Sequence, residues 1–421
     1  MKSTKYCIKA NIDDKTLYYN LVNGTMLEIP FADQNKVDRC LEDPDDKKNE
    51  FWEEMYNACF VMDNEYDELK EIKARHWKTV FNANRFEITL IPTLKCNTDC
   101  IYCYQKGVNV ELLEMTSKDY DELYNYLTGL SMKYININWY GGEPLLCKDK
   151  ILEFCERLSK DTKHLYSYSI STNSSIFDLD FYEKMSKFGL TNIDTTLVGR
   201  SREHLGLRRS KCYGYDDVVK NIVNASKYVN VVVSINLCKT NTDSIIDLLN
   251  DFVEYADLPI YFSFTRIVSY ENNPCEEIEL EVDDYLEKVI QFANYAIDNG
   301  LKICDMSCFQ NDGVYCGAYV RNNYTIGPGS YVYDCEHILS PEKAIGKIKD
   351  GNLIINNERK CDICIDPYEI EKCCECEILP YCNGGCHHLR KSGKDFCPDE
   401  KNYISEFLKL YYKKYYAEAK E

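Results

Sequence analysis

Three cysteines stand close together in the first quarter of the chain. Cys96, Cys100 and Cys103 form a C-x3-C-x2-C run directly after a strand-like segment. Thiolates at this spacing can bind three irons of one [4Fe–4S] cluster and leave the fourth iron without a protein ligand. Zinc is the alternative, but a structural zinc site needs four closed ligands, and no fourth is obvious nearby. The run therefore indicates a cluster with one iron open to a small molecule.

Cysteine is also dense near the C-terminus. Of the 23 cysteines, 12 lie between Cys304 and Cys397. Disulfides explain an odd count poorly in a large chain that shows no export signal. Regular apolar periodicity fades over the same region, so we expect bound metal to stabilise its fold.

Composition narrows the class of protein. The chain has 421 residues, 45% of them hydrophobic and 28% charged, with a net charge of −19. These values predict two or three folded domains rather than disorder, and they argue against a nucleic-acid partner. The first 14 residues contain no apolar signal core, and no run approaches the roughly 18 apolar residues of a membrane span. We therefore expect a cytoplasmic protein with no membrane partner.

The elements that must position the first cysteines follow an alternating pattern. Strand-like runs occur at 86–91, 135–140, 166–172, 192–198, 230–237 and 260–267. Helical segments are expected at 118–130, 151–158, 181–188, 216–228, 244–255 and 283–299, with a further terminal helix at 401–419. Six β/α repeats with short links predict parallel strands in an open sheet or a partial barrel, with chemistry at their C-terminal ends.

The first 82 residues have a different pattern. Three strand-like runs, at 6–12, 17–22 and 26–29, are followed by helical patterns at 33–41 and 48–59. This order predicts a small α+β module. A purely structural cap on the main domain is the alternative to a functional role.

Taken together, the motifs resemble those of the radical S-adenosylmethionine (SAM) superfamily. That family's motif is C-x3-C-x-aromatic-C, and Tyr102 occupies the aromatic position. Its second motif, a Gly-Gly-Glu-Pro loop after the second strand, is similar to Gly141–Pro144, where the glycines would allow close approach to a ligand and Glu143 would accept an ammonium group. Further residues implied to contact SAM are Gly141, Gly142, Ser171, Asn173 and, from an H-x3-R pattern, Arg208. Val198 and Leu205 stand where the family usually has acidic residues.

The C-terminal cysteines resemble the SPASM extension of that superfamily. Its C-x2-C-x5-C-x3-C element matches Cys373, Cys376, Cys382 and Cys386, followed by Cys397. The resemblance implies one auxiliary [4Fe–4S] cluster on Cys373, Cys376, Cys382 and Cys397, and another on Cys316, Cys335, Cys386 and either Cys308 or Cys304. With the SAM-binding cluster this makes three clusters. Cys361, Cys364 and Cys374 lie outside the pattern.

The resemblance also implies an architecture and a reaction. We expect an α/β fold: a partial (β/α)6 TIM-like barrel at 83–302, preceded at 1–82 by a winged-helix-like leader-peptide recognition domain and followed at 303–421 by a SPASM domain. The chain is similar to maturases of sactipeptide, ranthipeptide or cyclic-peptide type. These cleave SAM reductively and cross-link a precursor peptide, through a thioether or a carbon–carbon bond. The expected partners are a precursor with a leader sequence and a reductant such as flavodoxin or ferredoxin.

Two other functions remain open. Related SPASM enzymes oxidise a sulfatase residue to formylglycine, using a carboxylate base just after a cluster cysteine, and Glu336 follows Cys335 here. Glu336 is thus a candidate catalytic base, with a surface glutamate beside a cluster loop as the alternative. A non-catalytic iron–sulfur electron carrier or a zinc-stabilised module belongs to another class, and the Gly-Gly-Glu-Pro loop would have no use in it.

Overall fold

Two compact units make up the chain. The computed structural model describes residues 1–106, 113–210, 212–269, 273, 275–304, 309, 316–356, 366–394 and 396–417. The first unit comprises 1–82, 305–321 and 362–421, and the second comprises 83–304 and 322–361. Residues 322–361, which the sequence places with the cysteine-rich segment, thus fold with the second unit.

In the first unit, an antiparallel sheet packs on short helices. Its strands are β1 (Lys2–Ser3), β2 (Cys7–Ile12), β3 (Lys15–Asn20), β4 (Met26–Pro30) and β5 (Val61–Met62). β2, β3 and β4 form one sheet in that order, and β1 pairs with β5. The helices are α1 (Gln34–Glu42), α2 (Trp52–Asn57) and α3 (Glu68–Val80). Asp67 caps the start of α3, because its side chain accepts from the Lys70 N–H. The sequence analysis did not predict this helix.

The second unit contains the predicted parallel strands. They are β6 (Arg85–Thr93), β7 (Tyr134–Gly141), β8 (Leu165–Thr172), β9 (Leu190–Leu197), β10 (Asn230–Leu237) and β11 (Ile260–Arg266). Each pairs in parallel with the next along the chain. The helices are α4 (Ser117–Gly129), α5 (Lys148–Leu158), α6 (Leu179–Phe188), α7 (Ser201–Arg208), α8 (Tyr215–Ala225), α9 (Ile245–Asn250) and α10 (Val282–Asp298). The α/β partial-barrel prediction is confirmed.

Strand alternation in this unit separates an apolar face from a polar one. On β7, Ile137 and Trp139 are fully buried, whereas Asn136 and Asn138 on the opposite face are only half-buried. β8 and β9 repeat the pattern. Ile170 and Ile193 are buried, and serines, an asparagine and an aspartate alternate with the buried residues of these strands. The polar face lines the inside of the barrel, where Ser169 Oγ donates to Asn138 Oδ1 at 3.0 Å. The lumen is therefore polar rather than packed with branched apolar side chains.

Five short strands extend this sheet. β12 (Lys302–Ile303) continues it beyond β11, while β13 (Asn323–Ile326), β14 (Tyr331–Tyr333), β15 (Gly346–Lys349) and β16 (Asn352–Ile355) extend the opposite edge. β13 lies parallel to β6, and the strands after it are antiparallel. Ser330 Oγ donates to Asp119 Oδ1 at 2.7 Å, which ties this extension to α4. Strands of two to four residues carry too little periodicity for the sequence to predict them.

The rest of the first unit is made of short helices. They are α11 (Glu371–Cys374), α12 (Leu379–Cys382), α13 (His387–Lys391) and α14 (Ile404–Tyr412). α14 packs on β2, and the ring of Tyr411 lies 5.8 Å from that of Tyr19. Among the described residues, no helix is both long enough and apolar enough to span a membrane.

Candidate functional site

A cavity of about 570 Å³ opens at the C-terminal ends of the barrel strands. Its walls bring together nine of the ten residues that the sequence implies for the first cluster and SAM: Cys96, Cys100, Tyr102, Cys103, Gly141, Gly142, Ser171, Asn173 and Arg208. These residues come from four separate segments of the chain. The tertiary structure therefore gathers them at the expected end of the sheet.

The cysteine triplet lies in a tight loop after β6. The Thr98 hydroxyl is 3.0 Å from Cys96 Sγ and 3.7 Å from Cys100 Sγ. The loop is fixed to the end of α7, because the Ile101 N–H donates to the Leu207 carbonyl at 2.9 Å. Burial raises the pKa of the Cys103 thiol, and the neighbouring thiols of Cys100 and Cys96 raise it further.

The spacing of these thiols bears on the metal they could bind. No three His, Cys, Asp or Glu side chains in the described ranges are close enough together to hold one metal ion. A single zinc ion needs its ligands at that close spacing, whereas a four-iron cluster spreads three cysteines over three irons. The preference for a cluster over zinc at the triplet still rests on its C-x3-C-x2-C pattern.

Close packing explains the two glycines of the Gly-Gly-Glu-Pro loop. A Cβ atom on Gly142 would lie 2.2 Å from the Lys95 carbonyl oxygen, and one on Gly141 would lie 2.3 Å from that of Thr93. Gly141 also has a φ of +125°, which glycine adopts readily. The Glu143 N–H donates to the Lys95 carbonyl at 2.9 Å. The glycines thus let the loop pack against the backbone that leads into Cys96.

Glu143 lies behind the cavity wall. Its side chain has 0% exposure, and it is not among the residues that line the cavity. Its carboxylate accepts from Thr172 Oγ1 at 2.8 Å, from the Asn173 N–H at 2.7 Å and from the Leu145 N–H at 3.0 Å. The carboxylate thus holds neighbouring residues in place, and its contact with a ligand's ammonium group stays a prediction.

Asn173 links the other motifs. Its side-chain nitrogen donates to Asn97 Oδ1 at 2.7 Å and lies 3.7 Å from Cys96 Sγ. Its own carbonyl accepts from Arg208 Nη2 at 3.3 Å. Ser171, two residues earlier on β8, contacts Asn138 at 3.5 Å and faces the cavity. One residue therefore couples the triplet, the glycine loop and Arg208.

Arg208 is a buried cation on the cavity wall. Its side chain is 2% exposed, it donates to the Thr196 carbonyl, and its Nε has no hydrogen-bond partner among the described residues. The thiol of Cys100 and the ring of Tyr102 lie close enough to influence its pKa. Burial and the charge of Arg208 lower the pKa of His204 to about 4, so that imidazole is neutral. An unpartnered guanidinium nitrogen in a cavity fits an anionic ligand group.

The sequence analysis missed the polar residues of the cavity floor. Asp194, Ser234, Asn236 and Thr265 line it, and the signal that could have revealed them is the alternation of polar residues along predicted strands. Burial raises the pKa of Asp194 to about 6. Asn192 Nδ2 donates to its carboxylate at 3.2 Å.

Glu336 lies beside the same cavity. Burial raises the pKa of its carboxyl, and the charge of Asp194 raises it further. Burial raises the pKa of Tyr104, and the charge of Glu336 contributes to that rise. The Tyr104 hydroxyl contacts that of Tyr140, and its ring lies 4.4 Å from the ring of His337. The candidate base is thus half-buried and close to cavity groups rather than isolated on the surface.

The C-terminal thiols lie in the first unit. Burial, together with three neighbouring thiols, raises the pKa of Cys382 to about 12; these thiols are Cys376, Cys373 and Cys397. The loop between them is held by hydrogen bonds, because the Cys386 N–H donates to the Phe396 carbonyl at 3.1 Å and the Gly385 N–H to the Cys382 carbonyl at 2.8 Å. Four thiols from three turns of chain therefore converge.

The second predicted set of auxiliary ligands is divided. Cys316 and Cys386 belong to the first unit and both influence the pKa of Tyr319, whereas Cys335 belongs to the second unit. The possible fourth ligand Cys308 lies outside the described residues, as do Cys361 and Cys364. This grouping stays a prediction. Cys374 Sγ donates to the Tyr368 carbonyl at 3.1 Å.

Comparison with known proteins agrees with this geometry. A family model described as the Radical SAM superfamily matches residues 90–252. The radical SAM cyclopropyl synthase TigE of Paramaledivibacter caminithermalis is 21% identical over 392 residues, covering 85% of this chain and 78% of that protein.

Solved structures share the fold. Native anSMEcpe with bound AdoMet has a TM-score of 0.61 at 17% identity, covering 78% of this chain and 96% of its own. Streptococcus suis SuiB bound to precursor peptide SuiA has a TM-score of 0.54 at 13% identity, covering 93% of this chain and 97% of its own. At these identities the likeness concerns the fold, and function must be argued from the site.

Proposed function

We propose that this chain, which matches the Radical SAM superfamily model over residues 90–252, is a peptide maturase that installs an intramolecular cross-link in a ribosomally made precursor. A thioether is the first candidate bond and a carbon–carbon bond the second. The observation that carries the proposal is the single cavity shared by the cysteine triplet, the glycine loop, Asn173 and Arg208.

The family implies a [4Fe–4S] cluster and SAM, and the cavity residues fit both. Cys96, Cys100 and Cys103 supply three thiolates and no carboxylate. A cluster held by these three thiolates would supply the electron for reductive cleavage of SAM, and with it the radical chemistry that removes a hydrogen atom from a substrate. Arg208, whose Nε has no hydrogen-bond partner among the described residues, would supply the positive charge that faces the SAM carboxylate.

The other cavity residues shape the binding site. Gly141 and Gly142 present backbone at the cavity wall, while Ser171 offers a hydroxyl and Tyr102 a ring. Glu143 holds Thr172 and Asn173 in place. These contacts orient the bound molecule and exclude bulk water from it, which is the protein's share of a radical reaction.

Two features support a peptide as substrate. The polar lumen offers hydroxyl and amide groups, which suit a backbone rich in N–H and C=O groups. The first unit has a sheet whose strand β4 pairs with β3 alone among the described strands. An extended leader segment can add to such an edge through backbone hydrogen bonds. Residues 1–82 are accordingly proposed as the leader-recognition module.

The alternation of hydrogen-bonded and non-hydrogen-bonded pairs between β3 and β4 identifies a residue on that edge. The Asn20 N–H donates to the Thr25 carbonyl at 2.9 Å, and Tyr19 is opposite Met26. Since bonded and non-bonded pairs alternate in an antiparallel ladder, Met26 directs its N–H away from β3. We expect the leader to accept a hydrogen bond from it.

The C-terminal thiols complete the proposal. Cys373, Cys376, Cys382 and Cys397 would bind one auxiliary [4Fe–4S] cluster, and Cys316, Cys335 and Cys386, with Cys308 or Cys304, another. Such clusters give an outlet for the second electron when the substrate is oxidised, and flavodoxin or ferredoxin would supply the first. The proximity of Glu336 to Asp194 favours a second candidate reaction, formylglycine formation with Glu336 as base.

Mass spectrometry separates these reactions. A candidate precursor encoded beside this gene is co-expressed anaerobically with the enzyme, and the purified peptide is weighed and fragmented. A loss of two hydrogens with fragmentation blocked between two residues supports a cross-link. Conversion of a serine or cysteine to an aldehyde supports the second candidate, and an unmodified peptide in the presence of SAM cleavage contradicts both.

Point variants test the leader-binding edge without removing a segment of the first unit. Met26→Pro eliminates the outward N–H at an edge position that tolerates proline, whereas Met26→Ala keeps it. We expect the leader to bind Met26→Pro at least ten times more weakly than Met26→Ala, measured by fluorescence polarisation of a labelled leader. SAM cleavage should be the same in both variants. Equal leader affinities would contradict the assigned edge.

A further inference from the structure

Arg390 lies at the centre of the C-terminal cysteine region. It belongs to α13 and is 7% exposed. Its Nη1 donates to the Gly384 carbonyl at 2.9 Å, between Cys382 and Cys386. A Cβ atom on Gly384 would lie 2.4 Å from that Nη1, so the glycine at this position is what admits the guanidinium.

Two aromatic residues also lie close to the Arg390 guanidinium. Its carbon lies 5.0 Å from the ring centroid of Tyr319 and 5.7 Å from that of Phe396, and Nη2 donates to the Tyr319 hydroxyl. Phe396 directly precedes Cys397. The guanidinium therefore contacts residues beside three of the thiols: Cys382, Cys386 and Cys397.

The Arg390 guanidinium brings a positive charge into this buried region. A guanidinium stays protonated at any working pH. A permanent positive charge in a buried site interacts more strongly with added negative charge than it would in water.

We propose that Arg390 is a positioning residue that sets the reduction potential of the cluster held by Cys373, Cys376, Cys382 and Cys397. The inference rests on the proposed auxiliary cluster. Reduction adds one electron, and hence one negative charge, to a site whose net charge and hydrogen bonding determine its potential. The adjacent cation stabilises the reduced form and raises the potential.

The experiment compares neutral and charged replacements. Arg390→Gln and Arg390→Met remove the charge, and methionine keeps an unbranched chain between the two rings. Arg390→Lys keeps the charge but loses the two-pronged contact to Gly384 and Tyr319. Lys391→Gln, which removes an exposed charge at the next position, is the matched control.

The readout is the potential itself. The full-length chain carrying C96A, C100A and C103A is reconstituted anaerobically and titrated with dithionite under electron paramagnetic resonance. The signal that disappears on adding Cys376→Ala identifies the cluster. In the neutral variants we expect the reduced-to-oxidised ratio at a fixed potential to fall at least tenfold, a shift of about 59 mV to more negative values. Arg390→Lys and Lys391→Gln should change it less than twofold.

Each other outcome overturns the inference. An unchanged potential in a neutral variant with full iron content removes the role of charge. Equal shifts of the potential in Arg390→Lys and in the neutral variants would indicate that Arg390 only stabilises the loop. Loss of iron from both neutral variants, but not from the others, would indicate the same. If the parent shows no electron paramagnetic resonance signal that depends on Cys376, the proposed auxiliary cluster itself is contradicted. That result differs from a signal that is present but whose potential does not change, which contradicts only the role of Arg390.

Discussion

The backbone N–H of Asn173 donates to Glu143 Oε2 across 2.7 Å in a fully buried setting. This bond joins the end of β8 to the Gly-Gly-Glu-Pro loop after β7. Because Asn173 also contacts Asn97 and Arg208, the position of the whole cavity wall depends on it. The acidic residue of the loop therefore holds the end of β8 in place.

Glu143→Gln should weaken both stability and SAM cleavage. Glutamine replaces one carboxylate oxygen, an acceptor, with an NH2 group, a donor, that faces other buried donors. A buried donor without an acceptor lowers the stability of the folded protein by about 1–3 kcal/mol. Urea unfolding at pH 7.5 and the release of 5′-deoxyadenosine measure the two effects. Glu183→Gln, at an exposed position on α6, is the control. An unchanged unfolding midpoint in Glu143→Gln would show that the buried bonds carry no net energy.

Gly142→Ala should disrupt the triplet loop. The added Cβ atom would lie 2.2 Å from the Lys95 carbonyl oxygen and 2.6 Å from that of Leu94, so the backbone before Cys96 must move. Overpacking of this kind costs about 1–3 kcal/mol. We expect a lower melting temperature and less iron bound at the triplet after reconstitution.

Gly206→Ala provides the matched control for that substitution. Nothing lies within 4 Å of a Cβ atom at Gly206, which is inside α7. Alanine favours a helix over glycine by about 1 kcal/mol, so this variant should be at least as stable as the parent. Equal losses in the two variants would mean that the packing at Lys95 is not the cause.

Asp194→Asn should stabilise the protein increasingly as the pH rises. Burial raises the folded-state pKa of Asp194 to about 6, above the usual value of about 3.9. Below pH 4 the carboxyl is protonated in both states and gives no difference. Between pH 4 and 6 the Asp194 carboxyl is largely ionised in the unfolded chain but still largely protonated in the folded protein. Its ionisation therefore favours the unfolded chain, and above pH 6 it destabilises the folded protein by about 1–3 kcal/mol.

Urea unfolding of the protein without SAM at pH 4.5 and pH 8 checks this. The difference between Asp194→Asn and the parent should be small at pH 4.5 and largest at pH 8. The exposed Asp257→Asn variant should show no such trend. A stabilisation that is equal at both pH values would contradict the raised pKa.

Cys96→Ala should abolish SAM cleavage. With two thiolates left at the triplet, the open-iron cluster lacks a ligand, so dithionite should release no 5′-deoxyadenosine. Iron content should fall by about four atoms per chain, as expected for one [4Fe–4S] cluster, with the remaining iron unchanged. Cys212→Ala, at an exposed cysteine, is the control. A Cys96→Ala variant that still cleaves SAM would mean that the reaction does not occur at this triplet.

The amino-acid sequence alone was sufficient for the order of the barrel strands and for the motifs that meet at the cavity, but not for the polar residues of the cavity floor. Six runs with apolar alternation and short links leave little choice besides parallel strands with helical crossovers, because each strand must bury its apolar face. β10, at Asn230–Leu237, begins and ends where the sequence predicted it. The cysteine triplet and the glycine loop follow the first two of these strands, so their meeting at one edge follows from the fold class.

The tertiary structure decided which atoms each motif uses. Glycine in a loop can serve a ligand or a close backbone contact, and only the position of Lys95 shows that Gly142 makes the second. A carboxylate can face a cavity or the interior, and Glu143 is turned inward by Asn173, which lies 30 residues away in sequence. The roles of Asp194 and Arg390 likewise depend on neighbours that are distant along the chain. Local spacing specifies elements and motifs, whereas side-chain partners arise from packing between segments that the sequence leaves far apart.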